Sequence, residues 1–168
     1  CMKAIPKQSF LAFVDSMIQD GSLDVQGVVA KENKFVFGEL DSSSELRLDY
    51  DTTILPPKKY FLPQYEPMMK FDLNDPTKVE FLNGGKKKVI IGVHPHDMSA
   101  IRQMAKYYLE SSTDDLYLQK RKNSIVICSV PLNATDKAFY GSLMKAMGGA
   151  RPDLGFDLMI GDLGETVV

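Results

Sequence analysis

The stretch VIIGVHPHDMSAIRQM, Val89 to Met104, decides the fold. From Val89 to Val93 every residue is apolar except Gly92, the pattern of a strand buried on both faces. His94-Pro95-His96-Asp97 breaks the run. Ile101, Met104, Ala105 and Tyr108 then recur at helical spacing, with Arg102, Gln103 and Lys106 on the wet side. Asp97 is placed to cap that helix, its carboxylate accepting from amides one turn on. A strand feeding directly into a helix is the opening of a parallel unit, and the rest of the chain completes it. Ser124–Val130 reads as a second buried strand. Phe139, Ser142, Leu143, Ala146 and Met147 give another helix, stopped by Gly148-Gly149. Phe156–Ile160 is a last apolar strand. Strand, helix, strand, helix, strand implies parallel pairing through right-handed crossovers.

Upstream, Phe10, Phe13, Val14, Met17 and Ile18 form one stripe of an amphipathic helix, with Pro6 suited to its first turn and Gly21 to its stop. VQGVVAKENKFVFGEL reads as two strands around a polar Lys31–Lys34 turn. Asp41–Tyr50 is polar and serine-rich, and reads as a loop. Pro56, Pro57, Pro63, Pro67 and Pro76 forbid a long helix in between and imply an extended segment across the surface. Val79–Leu82 is a short strand candidate. The expected fold is therefore α/β: a mixed, mostly parallel sheet flanked by helices, with an N-terminal helix and β-hairpin.

The 168 residues suit one domain spanning 1–168, with 44% hydrophobic and 25% charged residues, an ordinary globular balance. A net charge of −2 argues against nucleic acid as a partner, and Lys86-Lys87-Lys88 reads as a solvated strand entry. No apolar run approaches the roughly 20 residues of a membrane span. Phe10 to Ile18 is broken by Asp15 and Ser16, so no secretory signal is read there. Of the two cysteines, Cys128 lies in an apolar run and reads as a small buried hydrophobe. No internal disulfide framework is expected from such a set, which fits a reducing compartment, and a cytoplasmic location is expected.

Both histidines of the chain, His94 and His96, flank Pro95 at a strand end. That edge of an α/β sheet is where ligands bind, and helix N-termini attract anions. With Asp97 the pair could supply three ligands to zinc or iron. The bland alternative is ordinary strand-end punctuation with a capping aspartate. A second candidate is the run from Lys58 to Glu66, where Lys58, Lys59, Gln64 and Glu66 could clamp a cofactor or acidic ligand. Its bland reading is a proline-guided crossing whose Tyr60, Phe61 and Leu62 cover the core. Asp153, Asp157, Asp162 and Glu165 fit no calcium loop and read as solvated loop positions. No Walker loop, GxGxxG, GxSxG or HExxH occurs.

Five segments in order carry a resemblance: PPKKYFLPQYEPMMKFD, VIIGVHPHDMSAIRQM, DDLYLQKRKNSIVICSV, AFYGSLMKAMG and GFDLMIGDLGE. Together they resemble the N-terminal region of a family of iron–sulfur subunits, typified by the iron–sulfur component of anaerobic sulfite reductase and by the sulfhydrogenase beta subunit, from about Pro56 to Gly164. The resemblance implies a leading domain of a longer electron-transfer subunit, with its 4Fe-4S clusters in a C-terminal continuation. It implies partners among redox proteins, a flavoprotein or a catalytic oxidoreductase subunit. It further implies a component of a complex rather than a catalyst by itself. The departures lie at the cysteines. Where the family often has Arg-Pro-Cys-Asp, this chain has His94-Pro95-His96-Asp97. Where it often has Asn-Cys-Phe-Cys before Ser-Met, this chain has Lys137-Ala138-Phe139-Tyr140-Gly141-Ser142-Leu143-Met144. Cluster ligation needs thiolates, usually four, and none is carried over to any residue here. Two other functions stay open: a stand-alone metal-dependent enzyme using His94, His96 and Asp97 with help from Lys58 or Glu66, and a module binding an anionic ligand at the same edge.

Overall fold

A computed structural model describes residues 3–82, 85–110, 114–131, 140–147 and 155–168. Its centre is a five-stranded sheet. The elements are β1 (Ile5–Pro6), α1 (Lys7–Gln19), β2 (Leu23–Lys31), β3 (Lys34–Glu39), β4 (Met69–Asp72), β5 (Asp75–Phe81), β6 (Lys87–Val93), α2 (Pro95–Glu110), α3 (Asp115–Lys122), β7 (Ser124–Ser129), α4 (Tyr140–Met147), β8 (Leu158–Ile160) and β9 (Thr166–Val167). The sheet order is β3-β2-β6-β7-β8, antiparallel only at the β2–β3 hairpin. This is the mixed, mostly parallel α/β architecture that the periodicity implies.

Two apolar clusters sandwich the sheet. Phe10 and Val14 of α1 pack with Val25, Val89, Ile91, Ile127 and Ile160. Met98 and Ile101 of α2 and Tyr117 of α3 pack with Ile90, Val93, Val126 and Cys128. Val89 to Val93 are fully covered, as their apolar run requires, and each large aliphatic buried there contributes about 1.5–3 kcal/mol. The termini are tied in: β1 pairs with β9, and Lys7 holds Asp162 at 2.6 Å.

Several elements differ from the sequence reading. Leu46, Leu48 and Tyr50 are core residues although they lie in the serine-rich stretch. Asp15 at the end of α1 accepts from the Ser43 amide and hydroxyl at 2.8 Å each, which pins that stretch down. The proline-rich segment opens with a short 3-10 turn, Pro57–Tyr60, and then supplies β4 to a two-stranded ribbon with β5. Helix α3 has no counterpart in the sequence reading. Asp157 and Asp162 are structural anchors: Asp157 accepts from the Val126 amide at 2.8 Å, and Asp162 is buried against Lys7. Phe139, Gly148, Gly149 and Asp153 lie outside the described residues.

One irregularity aims the site. Register slips between Ile91 and Val93, and Gly92 at the bulge has φ +91°, a conformation that costs any other L-residue about 1–2 kcal/mol. Ile91 therefore faces the α1 cluster while Val93, two residues on, joins the opposite one. The Tyr50 hydroxyl donates to the Gly92 carbonyl at 2.7 Å, closing the bulge from below.

Candidate functional site

The bulge delivers His94 into the α2 side of the core. Its ring is fully buried and lies flat on Tyr50, with centroids 4.1 Å apart and planes within 2°. The His94 carbonyl accepts from the Met98 amide at 3.0 Å, so His94 stands where the cap residue of α2 stands. The helix begins at Pro95, which corrects the placement of Asp97: it occupies the first turn instead of capping it. Pro95 is favourable there because its missing amide hydrogen has no helical partner to lose.

What His94 lacks is hydrogen bonds. Both ring nitrogens are buried without a partner, as are His96 Nδ1 and the Ser129 hydroxyl. Each such group costs about 1–3 kcal/mol, and buried polar atoms in folded proteins are nearly always satisfied. Cys128 pairs with Val93 in the β6–β7 register, so Ser129 and His94 are the next residues along neighbouring parallel strands. The unsatisfied groups thus collect at one edge.

His96 stands 5.2 Å from His94, ring centre to ring centre, with the planes tilted 52°. Tyr140 of α4 meets its face edge-on at 5.9 Å. Asp97 Oδ2 is 3.9 Å from His96 Nε2. Burial holds the His94 imidazole neutral by pushing its pKa down to about 3; the charge of His96 adds to this and Asp51 opposes it. Burial also raises the Asp97 carboxyl, while His96 and Lys58 pull the other way. Cys128 is buried and its thiol is pushed up to about 12 by desolvation, so it is no nucleophile. Among the described residues, no three His, Cys, Asp or Glu side chains already converge as ligands of one metal ion.

The Lys58–Glu66 run does not form one site. Lys58 is exposed and acts on Asp97 through its charge. Lys59 donates to the Phe37 carbonyl at 2.6 Å, and Gln64 is exposed. Glu66 lies at the opposite edge, ion-paired with Lys120 beside a cleft of about 270 Å³ that also takes in Asp24, Tyr60, Lys88 and Ser124. Tyr50, Ser129 and Tyr140 belong to the histidine edge and escape the sequence reading. The spacing Leu46, Leu48, Tyr50 is the period-2 signal that could have found the first.

Four thiolates for a cluster are not present: the chain has two cysteines. The residues at hand do not fit such a group. Among the described residues no helix is long and apolar enough to cross a membrane.

No protein-family profile matches the chain, and no solved structure matches it. Among characterised proteins it is similar to sulfhydrogenase 2 subunit beta of Pyrococcus furiosus, 39% identical over 103 residues. The match covers 61% of this chain and 30% of that protein, so the chain spans less than a third of the relative's length. Over the matched stretch the chain is similar to a sulfhydrogenase beta subunit, one of the proteins that typify the resemblance read from the ordered motifs.

Proposed function

We propose that this chain is a domain of an electron-transfer subunit in a hydrogenase- or sulfite-reductase-like assembly, and that it docks on a redox partner in the cytoplasm. Its role is structural and positional, with clusters carried elsewhere in the natural subunit. The observation that carries the reading is the 39% identity with a sulfhydrogenase subunit. That identity covers 61% of a chain that has two cysteines in all, which fits a shared scaffold without a four-thiolate cluster on this chain.

The β4–β5 ribbon supports the docking part. Its register pairs Met69 with Phe81 and Phe71 with Val79 on one face, and Lys70 with Glu80 on the other. The apolar face is uncovered, with Phe71 55% and Phe81 65% exposed. A two-stranded ribbon is marginal in water unless such a face is covered. Apolar side chains rimmed by charges are what a protein partner buries. On this reading the partner is a flavoprotein or catalytic oxidoreductase subunit.

The test is anaerobic purification of the full natural chain, tagged at its own locus. A flavin- or metal-containing subunit is expected to co-purify, and Phe71→Asp with Phe81→Asp should reduce its recovery at least tenfold (~1.4 kcal/mol per decade) without moving the urea midpoint. Recovery of the chain without any redox protein would defeat the proposal.

A further inference from the structure

We infer that the cleft at the amino edge of the sheet binds a small organic anion, a carboxylate or phosphate carried on a compact apolar body. The site does not depend on the docking reading. Shape comes first. The cleft, about 270 Å³, lies between the first residues of β6 and β7, the end of α3 and the segment that leads into the β4–β5 ribbon. That size is just below the roughly 300–1,000 Å³ of sites for drug-sized ligands, so its occupant is small. Pro63, Leu82 and Leu116 make part of the lining apolar, and Tyr60 adds a ring. Gln119 and Asn123 supply amide groups. Apolar walls with a few convergent polar groups are the usual make-up of a small-molecule site.

Charge selects the ligand. Lys86, Lys88 and Lys120 line the cleft together with two carboxylates, Asp24 and Glu66. Lys88 pairs with Asp24 and Lys120 with Glu66. Lys86 is exposed and, among the described residues, enters no ion pair, while its charge is felt at Asp24. A fourth cation stands close by: the Lys59 and Lys88 ammonium groups lie 5.1 and 5.3 Å from the centre of the Tyr60 ring. Burial lowers the Lys59 pKa and the charge of Lys88 lowers it further, so the two ammonium groups repel each other there. An anion relieves that repulsion, and a cation adds to it.

The backbone does not oppose an anion. Helix α3 ends at this cleft, and its last carbonyls would repel negative charge if bare. Those of Gln119 and Arg121 accept from the Asn123 amide, and that of Lys120 accepts from the Ser124 hydroxyl at 2.7 Å. The ion pairs set the strength of binding. An arriving anion competes with Asp24 and Glu66 for their lysines, so binding is salt-sensitive and weak, with a Kd on the order of 1 mM. They also set the sign of one substitution. Glu66→Gln frees Lys120 and makes the cleft more positive, so it tightens binding, whereas loss of a merely structural contact would not.

The experiment is titration of the nitrogen-15-labelled chain, followed by backbone amide shifts, with phenyl phosphate, benzoate and the uncharged control benzyl alcohol. Saturable shifts centred on Tyr60, Lys88, Gln119 and Asn123 are expected with at least one of the two anions and not with benzyl alcohol. The tighter of the two anions distinguishes a phosphate ligand from a carboxylate ligand. Lys86→Glu, at an exposed position where the fold tolerates change, should weaken binding about tenfold, and Glu66→Gln should tighten it about threefold. The assignment is overturned if neither anion gives saturable shifts up to about 10 mM, or if benzyl alcohol gives the same shifts. It is equally overturned if Glu66→Gln fails to tighten binding or Lys86→Glu fails to weaken it.

Discussion

The two edges of the parallel sheet are built on opposite principles. At the amino edge, where β2, β6 and β7 begin, polar groups satisfy one another. Asp24 accepts from Lys88 and Gln26, Tyr60 donates to Gln26 at 2.9 Å, and Lys120 pairs with Glu66. At the carboxyl edge, where β6 and β7 end, four buried polar atoms on His94, His96 and Ser129 have no partner. The open cleft lies at the first edge and the unsatisfied chemistry at the second. A concave surface whose Asp24, Lys88, Glu66 and Lys120 are already paired has less left to offer a ligand. A closed edge with orphaned imidazoles carries a folding cost that the paired edge does not.

The strongest way to break this comparison is acid. His94 is held near a pKa of 3 in the fold against 6.5 in the unfolded chain. Between those values the unfolded state binds the proton and the folded state does not, so stability falls as pH drops below 6.5. The slope reaches roughly 1.4 kcal/mol per pH unit, and is absent above pH 6.5. Urea midpoints at pH 7.5 and pH 5 should separate accordingly, and His94→Phe, which keeps a ring on Tyr50, should remove most of the separation. A wild type and variant with equal acid sensitivity would show that His94 finds a partner after all.

A smaller effect sharpens the same edge. Tyr50→Phe deletes the hydroxyl that satisfies Gly92 and leaves a buried carbonyl bare, at about 1–3 kcal/mol in urea unfolding. The amino edge should respond less. Asp24→Ala breaks a pair whose side chains are only about one quarter exposed, and should cost about 1 kcal/mol once solvent screening is allowed for. Lys120→Ala should cost less than about 1 kcal/mol, diminishing further at high salt, because that ion pair reaches solvent. Amino-edge losses as large as that of Tyr50→Phe would erase the contrast.

The fold was legible where periodicity was clean. Val89–Val93, Ser124–Val130 and the stripe from Phe10 to Ile18 declare buried strands and an amphipathic helix with little ambiguity, and they are β6, β7 and α1. It was illegible where composition masked spacing. Serines around Leu46, Leu48 and Tyr50 suggested a loop, yet those three side chains close the core beneath the bulge. Helix α3 escaped because DLYLQKRK carries only three apolar residues and is held by Asp114, whose carboxylate accepts from the Tyr117 amide. The histidine edge was found from the sequence, since a strand running into a helix marks it. Its character was not. Nothing in the order of residues says that His94 would be fully covered, stacked on a tyrosine and left without hydrogen bonds, because those facts depend on a register slip at Gly92 and on residues more than forty positions away.

The most direct test of this account is the protonation of His94 itself. Nitrogen-15 NMR of labelled imidazoles between pH 7.5 and pH 5, on metal-free protein, would follow both histidines separately. The account predicts a His94 ring that stays neutral throughout that range. A His94 that titrates near pH 6.5 in the folded protein would place it in water or beside a partner. The carboxyl edge would then be an ordinary strand end.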